Sequence, residues 1–344
     1  MPMELFTTLN GIWFLLAGIF LVGYSLTDGF DLGSGILHIF TKDEDIRRIY
    51  MNAIGPVWDG NEVWLIAGGG MLFAAFPVVY AVSFSAFYLA ILIVLWALIL
   101  RAVSFEYRNK KESKTWRTAW DIAYWIGNVL PAFLFGCAVG NAVMGMPIDE
   151  KGIYHGTFFG LLNLPSLAMG FVSLFMYLMH GSAYLMIKTE GKAFEFAKKG
   201  AIVGFLGFIA SLVVADFFII AIKPKLFANF FDYPLLWIAP ILKILGLVLY
   251  FKYLVLDKKY NKVIYGSTIT ILGTVLTIAL ASYPVFIHSS IDEKYNLTIF
   301  NSASSNLTLT VMLISTVIFL PIVIWYTAYV YKVFKGKVST EGGY

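Results

Sequence analysis

Charge is scarce in this chain. Only 13% of its 344 residues are Asp, Glu, Lys or Arg, about half the share of a soluble domain, and 59% are hydrophobic. Long polar loops and Pro-, Gly- or Ser-rich linkers are absent too, so no separate water-soluble domain is expected. The single cysteine, Cys137, sits in an apolar segment; an internal disulfide is excluded, and the thiol is expected to pack as a small hydrophobe. The net charge of +4 is scattered through short segments rather than gathered in a patch, which removes nucleic acid as a partner. Dinucleotide fingerprints, a P-loop and a His-Glu-x-x-His pattern are all missing, so nucleotide-driven transport and zinc hydrolysis have no support. Residues 1–10 carry Glu4 and no Lys or Arg, unlike the basic start of a secretory signal, and the first apolar run is expected to stay in the mature chain.

What fills the chain is apolar runs. A helix needs about 20 residues to cross a bilayer, and nine stretches qualify: 12–39, 53–76, 78–104, 119–143, 157–187, 201–222, 236–256, 263–287 and 307–333. The expected fold is an all-α polytopic membrane protein, a single transmembrane domain over residues 1–344. Its nine or so helices are expected to form two four-helix bundles plus one peripheral helix. The second run is the weakest, because Asp59, Gly60, Asn61 and Glu62 precede its apolar part, and Pro77 forces a sharp hairpin into the third. Basic residues test the count, since Lys and Arg collect on the cytoplasmic side. One side receives Lys42, Arg47, Arg48, Arg108, Lys110, Lys111, Lys114, Arg117, Lys188, Lys192, Lys198, Lys199, Lys252, Lys258, Lys259, Lys262, Lys332, Lys335 and Lys337. The other receives Lys151, Lys223, Lys225 and Lys294. The alternation puts the N-terminus outside and the C-terminus in the cytoplasm.

Against that background the stretch Asp28 to Gly35 stands out, because an Asp at the centre of a spanning helix costs roughly 2.5–3.5 kcal/mol and is a functional-site hypothesis by default. Topology converts position into depth at about 1.5 Å per residue. Asp28 and Asp31 fall in the cytoplasmic half of the first span and share a face at i, i+3. Asp59 and Glu62 enter from the cytoplasmic surface on the second, Arg101 lies about a turn short of Glu106 at the end of the third, and Asp121 opens the fourth. Four helices thus deliver acids and one arginine to the same half of the membrane. For Glu62 and Glu106 the simpler reading is interfacial snorkelling, with Arg101 neutralising Asp31 or Asp59 as a structural pair. For Asp31 and Asp59 a hydrated cytoplasmic funnel for protons or another cation is favoured, with Asp28, Asp121 and Arg101 beside them. An excess of acids over one arginine leaves a carboxylate able to hold a proton. Asp216 and Lys243, in the outer halves of the sixth and seventh runs, are expected to form a structural salt bridge.

Haem chemistry needs axial ligands. Of the four histidines, His155 and His288 sit in or beside external loops, His38 lies near the cytoplasmic end of the first run, and His180 reads as hydrogen-bonded packing. A haem held wholly by this chain is not expected. Gly29, Gly33 and Gly35 with Gly68, Gly69 and Gly70 read as a small-residue contact between the first two spans. Trp58, Trp64, Trp96 and Trp125 are candidates to face a partner subunit.

Three motifs then carry a resemblance: Asp28-Gly-Phe-Asp-Leu-Gly33, Gly55-Pro-Val-Trp-Asp-Gly-Asn-Glu-Val-Trp-Leu65 and Arg101-Ala-Val-Ser-Phe-Glu-Tyr-Arg108. With weaker matches at Trp120-Asp-Ile, Tyr283-Pro-Val-Phe-Ile-His-Ser-Ser290 and Ser304-Ser-Asn-Leu-Thr-Leu309, nearly the whole chain resembles subunit II of cytochrome bd-type quinol oxidases. Some members of that family have Pro where Ala102 stands and Gln where Glu62 stands, so no required carboxylate role carries over to Glu62. The resemblance implies a bacterial terminal oxidase of the cytoplasmic membrane that takes electrons from quinol and reduces dioxygen to water. It also implies two haems b and one haem d on subunit I, no cofactor on this chain, and a heterodimer, with a small accessory subunit in some complexes and with quinone and lipid around it. Asp31, Asp59, Arg101 and Asp121 then belong to a polar route bringing cytoplasmic protons towards the haem site. A proton-coupled secondary transporter using the same buried acids is the rival reading. It predicts interrupted helices in corresponding halves, whereas the polar breaks concentrate in the first two spans.

Overall fold

The computed structural model describes residues 7–339; Glu4, with the rest of the first six residues, and the last five lie outside the described part. Among the described residues the chain forms α1 (Leu9–His38), α2 (Glu44–Ile54), α3 (Trp58–Ala75), α4 (Pro77–Ala86), α5 (Tyr88–Tyr107), α6 (Lys114–Met144), α7 (Leu164–Lys188), α8 (Gly191–Ile222), α9 (Ala228–Asp232), α10 (Ile238–Phe251), α11 (Val263–Ser282) and α12 (Asn306–Val333). A small antiparallel pair, β1 (Val285–Ile287) with β2 (Leu297–Thr298), follows α11. Eight helices are long and apolar enough to cross a membrane.

The differences from the expected spans are local and have physical causes. The second expected span divides into α2, which lies ahead of it, and α3, whose 18 residues cover about 27 Å. Asp59, Asn61 and Glu62 dilute its apolar character, and it is not among the eight. The third divides at Phe87 into α4 and α5, and Pro77 at the first position of α4 supplies the expected hairpin with Phe76 as its only link. The eighth stops at Ser282, after which the chain turns extended in β1.

Packing sorts the helices into two groups and an outlier. In the first group α5 packs on α6, and α1 on α3 and α6; in the second α7 packs on α8 and α10 on α11, while α7 touches α1 and α6 to join the groups. The join depends on glycine. A Cβ on Gly33 would collide with the Tyr177 carbonyl, and one on Gly181 would lie 2.5 Å from the Ser34 nitrogen, so the α1 and α7 backbones touch. Of the expected close approach through Gly68, Gly69 and Gly70 only the first is present: a Cβ on Gly68 would lie 3.5 Å from Phe20 on α1, and nothing lies within 4 Å of one at Gly69 or Gly70. These glycines border an apolar cleft of about 950 Å³ between α1, α3, α4, α5, α6 and α11. Helix α12 is peripheral, with Leu309 its one buried residue.

Candidate functional site: two buried ionic clusters

The deeper cluster begins on α1. Asp28, wholly buried, receives both Arg101 nitrogens, Nη2 at 2.7 Å and Nη1 at 3.1 Å, a bidentate arrangement. Arg101 reaches it because α6 offers Gly127 at the crossing: a Cβ there would lie 2.8 Å from the Arg101 nitrogen. Arg101 also meets Glu62 at 3.0 Å. Asp31, one turn further along α1, accepts from Asn61 Nδ2 at 2.7 Å through Oδ2, while its Oδ1 is buried with no partner. Asn61 in turn accepts from the Tyr331 hydroxyl of α12. The arginine expected to neutralise Asp31 or Asp59 therefore neutralises Asp28 and Glu62. The reason is register: Asp28 and Glu62 face the α5 crossing, and Asp31 is turned towards α3 and α12.

The second cluster lies further along, at the end of α1 and the start of α6. Asp121 takes His38 Nε2 at 2.6 Å, Arg47 at 2.7 Å and Arg108 Nε at 2.6 Å. Arg108, itself buried, bonds Glu44 at 2.9 Å, and Arg117 approaches Glu44 at 3.5 Å. This group closes the turn between α1 and α2 against the start of α6. Sequence reasoning placed Asp121 here but missed its partners. His38 was legible, seven residues and thus two turns past Asp31. Arg47 and Arg108 read only as basic loop residues, and nothing in the sequence singled out Glu44.

Asp59 and Glu106 are exposed, outside both clusters. Asp216 and Lys243 sense each other's charge but make no direct ion pair. Their side chains are only half-buried, so nothing forces the contact. Trp58 stacks on Phe105 at 5.2 Å and Trp64 is buried, whereas Trp96 is 61% exposed and open to a partner. On the opposite face Lys223 donates to the Val143 carbonyl at 2.9 Å, capping α6, and burial lowers its ammonium to about 8. His288, beside it, bonds Ser282 at 3.1 Å, and burial, with Lys223 second, pushes the imidazole down to about 4.

Each histidine Nε2 is engaged: His38 with Asp121, His155 with Asp149, His180 with the Leu26 carbonyl and His288 with Ser282. His180 is doubly bonded, Nδ1 meeting Ser267 at 2.8 Å. His38 Nδ1, by contrast, is buried with no hydrogen-bond partner. No group of three His, Cys, Asp or Glu among the described residues is arranged to hold a metal ion.

The family model for cytochrome bd terminal oxidase subunit II matches residues 9–334. This chain belongs to that family. The subunit is 37% identical to a probable cytochrome oxidase subunit 2 of Haemophilus influenzae, covering 97% of this chain and 96% of that one. It is 35% identical to the cytochrome bd-I ubiquinol oxidase subunit 2 of Escherichia coli strain K12 (98% and 97%), and 31% identical to the cytochrome bd ubiquinol oxidase subunit 2 of Bacillus subtilis (96% and 97%). A solved bd oxidase from Geobacillus thermodenitrificans has the same fold, with a TM-score of 0.78 at 16% identity over 95% of this chain and 99% of that one. The subunit is thus part of an oxidoreductase complex with subunit I and a multi-pass protein of the bacterial inner membrane.

Proposed function

We propose that the chain is the haem-free second subunit of a quinol:oxygen oxidoreductase, that it stabilises the haem-bearing subunit I, and that it carries part of the route for cytoplasmic protons used in reducing dioxygen. In this reading subunit I holds two haems b and one haem d, quinol is the electron donor, and quinone, lipid and in some complexes a small accessory subunit surround the pair. The positive-inside pattern supports an outer N-terminus and a cytoplasmic C-terminus.

One observation carries the proton route: in the deep cluster three carboxylates, Asp28, Asp31 and Glu62, share the single cation Arg101, and one oxygen of buried Asp31 has no partner. Arg101 is committed to Asp28 and Glu62, which leaves Asp31 as the group free to take up and release a proton. Asp59, exposed at the start of α3 and two residues before Asn61, forms the mouth. Asp121 and its cations shape the cytoplasmic rim, and Glu106 is exposed near the end of α5. Protons drawn from inside while quinol releases protons outside make the reaction electrogenic without a pump. The double engagement of His180 supports placing the haems on the partner. Family membership along nearly the whole chain favours an oxidase over a proton-coupled transporter.

The test is Asp31→Asn and Asp59→Asn in the assembled complex at full haem content. Both are expected to lose turnover and charge translocation; wild-type values for either would remove that residue from the route. A visible haem spectrum from the purified chain alone would contradict the haem-free assignment.

A further inference from the structure

Helix α12 buries only Leu309, yet its two ends are tied down. At the outer end Trp13 Nε1 donates to the Leu309 carbonyl at 3.0 Å. At the inner end the chain does not leave the protein after Val333 but turns under α7. There the Val338 N–H donates to the Lys188 carbonyl at 2.9 Å, and Lys337 Nζ donates to the Thr189 and Met186 carbonyls at 2.9 and 3.5 Å. Lys188 Nζ returns a bond to the Phe334 carbonyl, and Asn52 Nδ2 holds the Ser339 carbonyl at 3.3 Å. The last carbonyls of a helix lack intrahelical partners, and a cation there also answers the helix dipole. Residues 334–339 are therefore a cap for α7, with lysines spent on carbonyls instead of carboxylates.

The cap lies beside the deep cluster. Helix α7 carries Tyr184, which stacks on Phe30 at 4.0 Å, and the ring of Tyr331, just ahead of the cap, meets Phe30 edge-on at 6.1 Å. An amide has one acceptor end and one donor end. The Tyr331 hydroxyl donates to the acceptor oxygen of Asn61, and the NH2 end faces Asp31. If Tyr331 let go, Asn61 could turn and present its oxygen to Asp31, an arrangement the carboxylate form rejects.

We propose that the segment Phe334–Ser339 is a positioning latch: by capping α7 it seats Tyr331 on Asn61 and so fixes the amide hydrogen bond to Asp31. This rests on the proton-route reading above. Tyr331, Lys337 and the Val338 N–H are positioning groups, acting through Asn61.

The experiment compares Tyr331→Phe, Lys337→Met, Lys337→Arg, Val338→Pro and Asp31→Asn in the full complex with its haem subunit. Tyr331→Phe, Lys337→Met and Val338→Pro, which removes the donor, are expected to lower kcat about threefold to tenfold, the scale of one lost hydrogen bond. Quinol KM and haem content stay unchanged, and Lys337→Arg restores turnover. The infrared carboxyl band that Asp31→Asn abolishes is expected to shift in Tyr331→Phe. Impaired Asp31→Asn with unaffected latch variants overturns the latch and leaves the route standing. Latch variants that lose turnover only in proportion to haem reduce the segment to a structural clamp and also overturn it. Wild-type activity in Asp31→Asn overturns the route, and the latch with it.

Discussion

The two ionic clusters are built from the same residue types with opposite balance. The deep one sets Asp28, Asp31 and Glu62 against Arg101; the shallow one sets Asp121 and Glu44 against Arg47, Arg108, Arg117 and His38. Surplus carboxylate leaves a group that can exchange a proton. Surplus cation leaves every carboxylate oxygen of Asp121 occupied, and that cluster acts as a clamp between the α1–α2 turn and α6. Burial of charge alone does not tell the two clusters apart; the sign of the excess does, and only the surplus of acid fits the proposed proton route.

The sharpest way to break the contrast is Asp28→Asn. It leaves Arg101 buried with only half-exposed Glu62 opposite, and loss of one partner from a buried pair costs about 3–5 kcal/mol. The expected outcome is failure to assemble, read as lost haem-subunit complex on size exclusion. Asp121→Asn removes a carboxylate shared by three donors, each charge-assisted bond being worth about 1.5–3 kcal/mol. Thermal stability is expected to fall clearly while the turnover of surviving complex stays near wild type. A selective loss of turnover would instead place Asp121 on the route. Glu62→Gln keeps the shape, and Asp28 remains on Arg101, so a stability change of about 1 kcal/mol or less and near-normal turnover are expected in denaturation and oxygen-uptake assays.

The smallest effect is on the opposite face, away from both clusters. His288 is lowered to about 4 from its ordinary value of 6.5. Between those values the unfolded imidazole binds a proton that the folded one refuses, so stability falls as pH drops from about 6.5 towards 4. His288→Asn is expected to flatten that part of the stability–pH curve without touching turnover. An unchanged slope would show that His288 does not set it.

Much of the architecture was legible because apolar length is a one-dimensional property. The runs at 119–143 and 307–333 became α6 and α12 with only end adjustments. Boundaries went astray where a local break competes with apolarity, as at Phe87 inside the third run and at Ser282 ahead of β1. At the site, the depth of Asp28, Asp31, Arg101 and Asp121 could be counted along the chain, but their partners could not. Tyr331 reaches Asn61 across 270 residues of sequence. Of the Gly68–Gly70 run only Gly68 comes near α1, at Phe20, and Gly69 and Gly70 border a cleft instead, while Gly33 found Gly181.

By itself the sequence determined that this is a polytopic helical membrane protein, and which titratable residues sit at membrane depth, because hydrophobic length and the cost of buried charge act residue by residue along each helix. Only the tertiary structure decided that Arg101 belongs to Asp28, that Asp31 belongs to Asn61, and that Asp121 is locked by His38, Arg47 and Arg108. Those choices depend on helix rotation and crossing, which are set by backbone contacts such as Gly33 on Gly181 and Gly127 beside Arg101, between segments far apart in the chain.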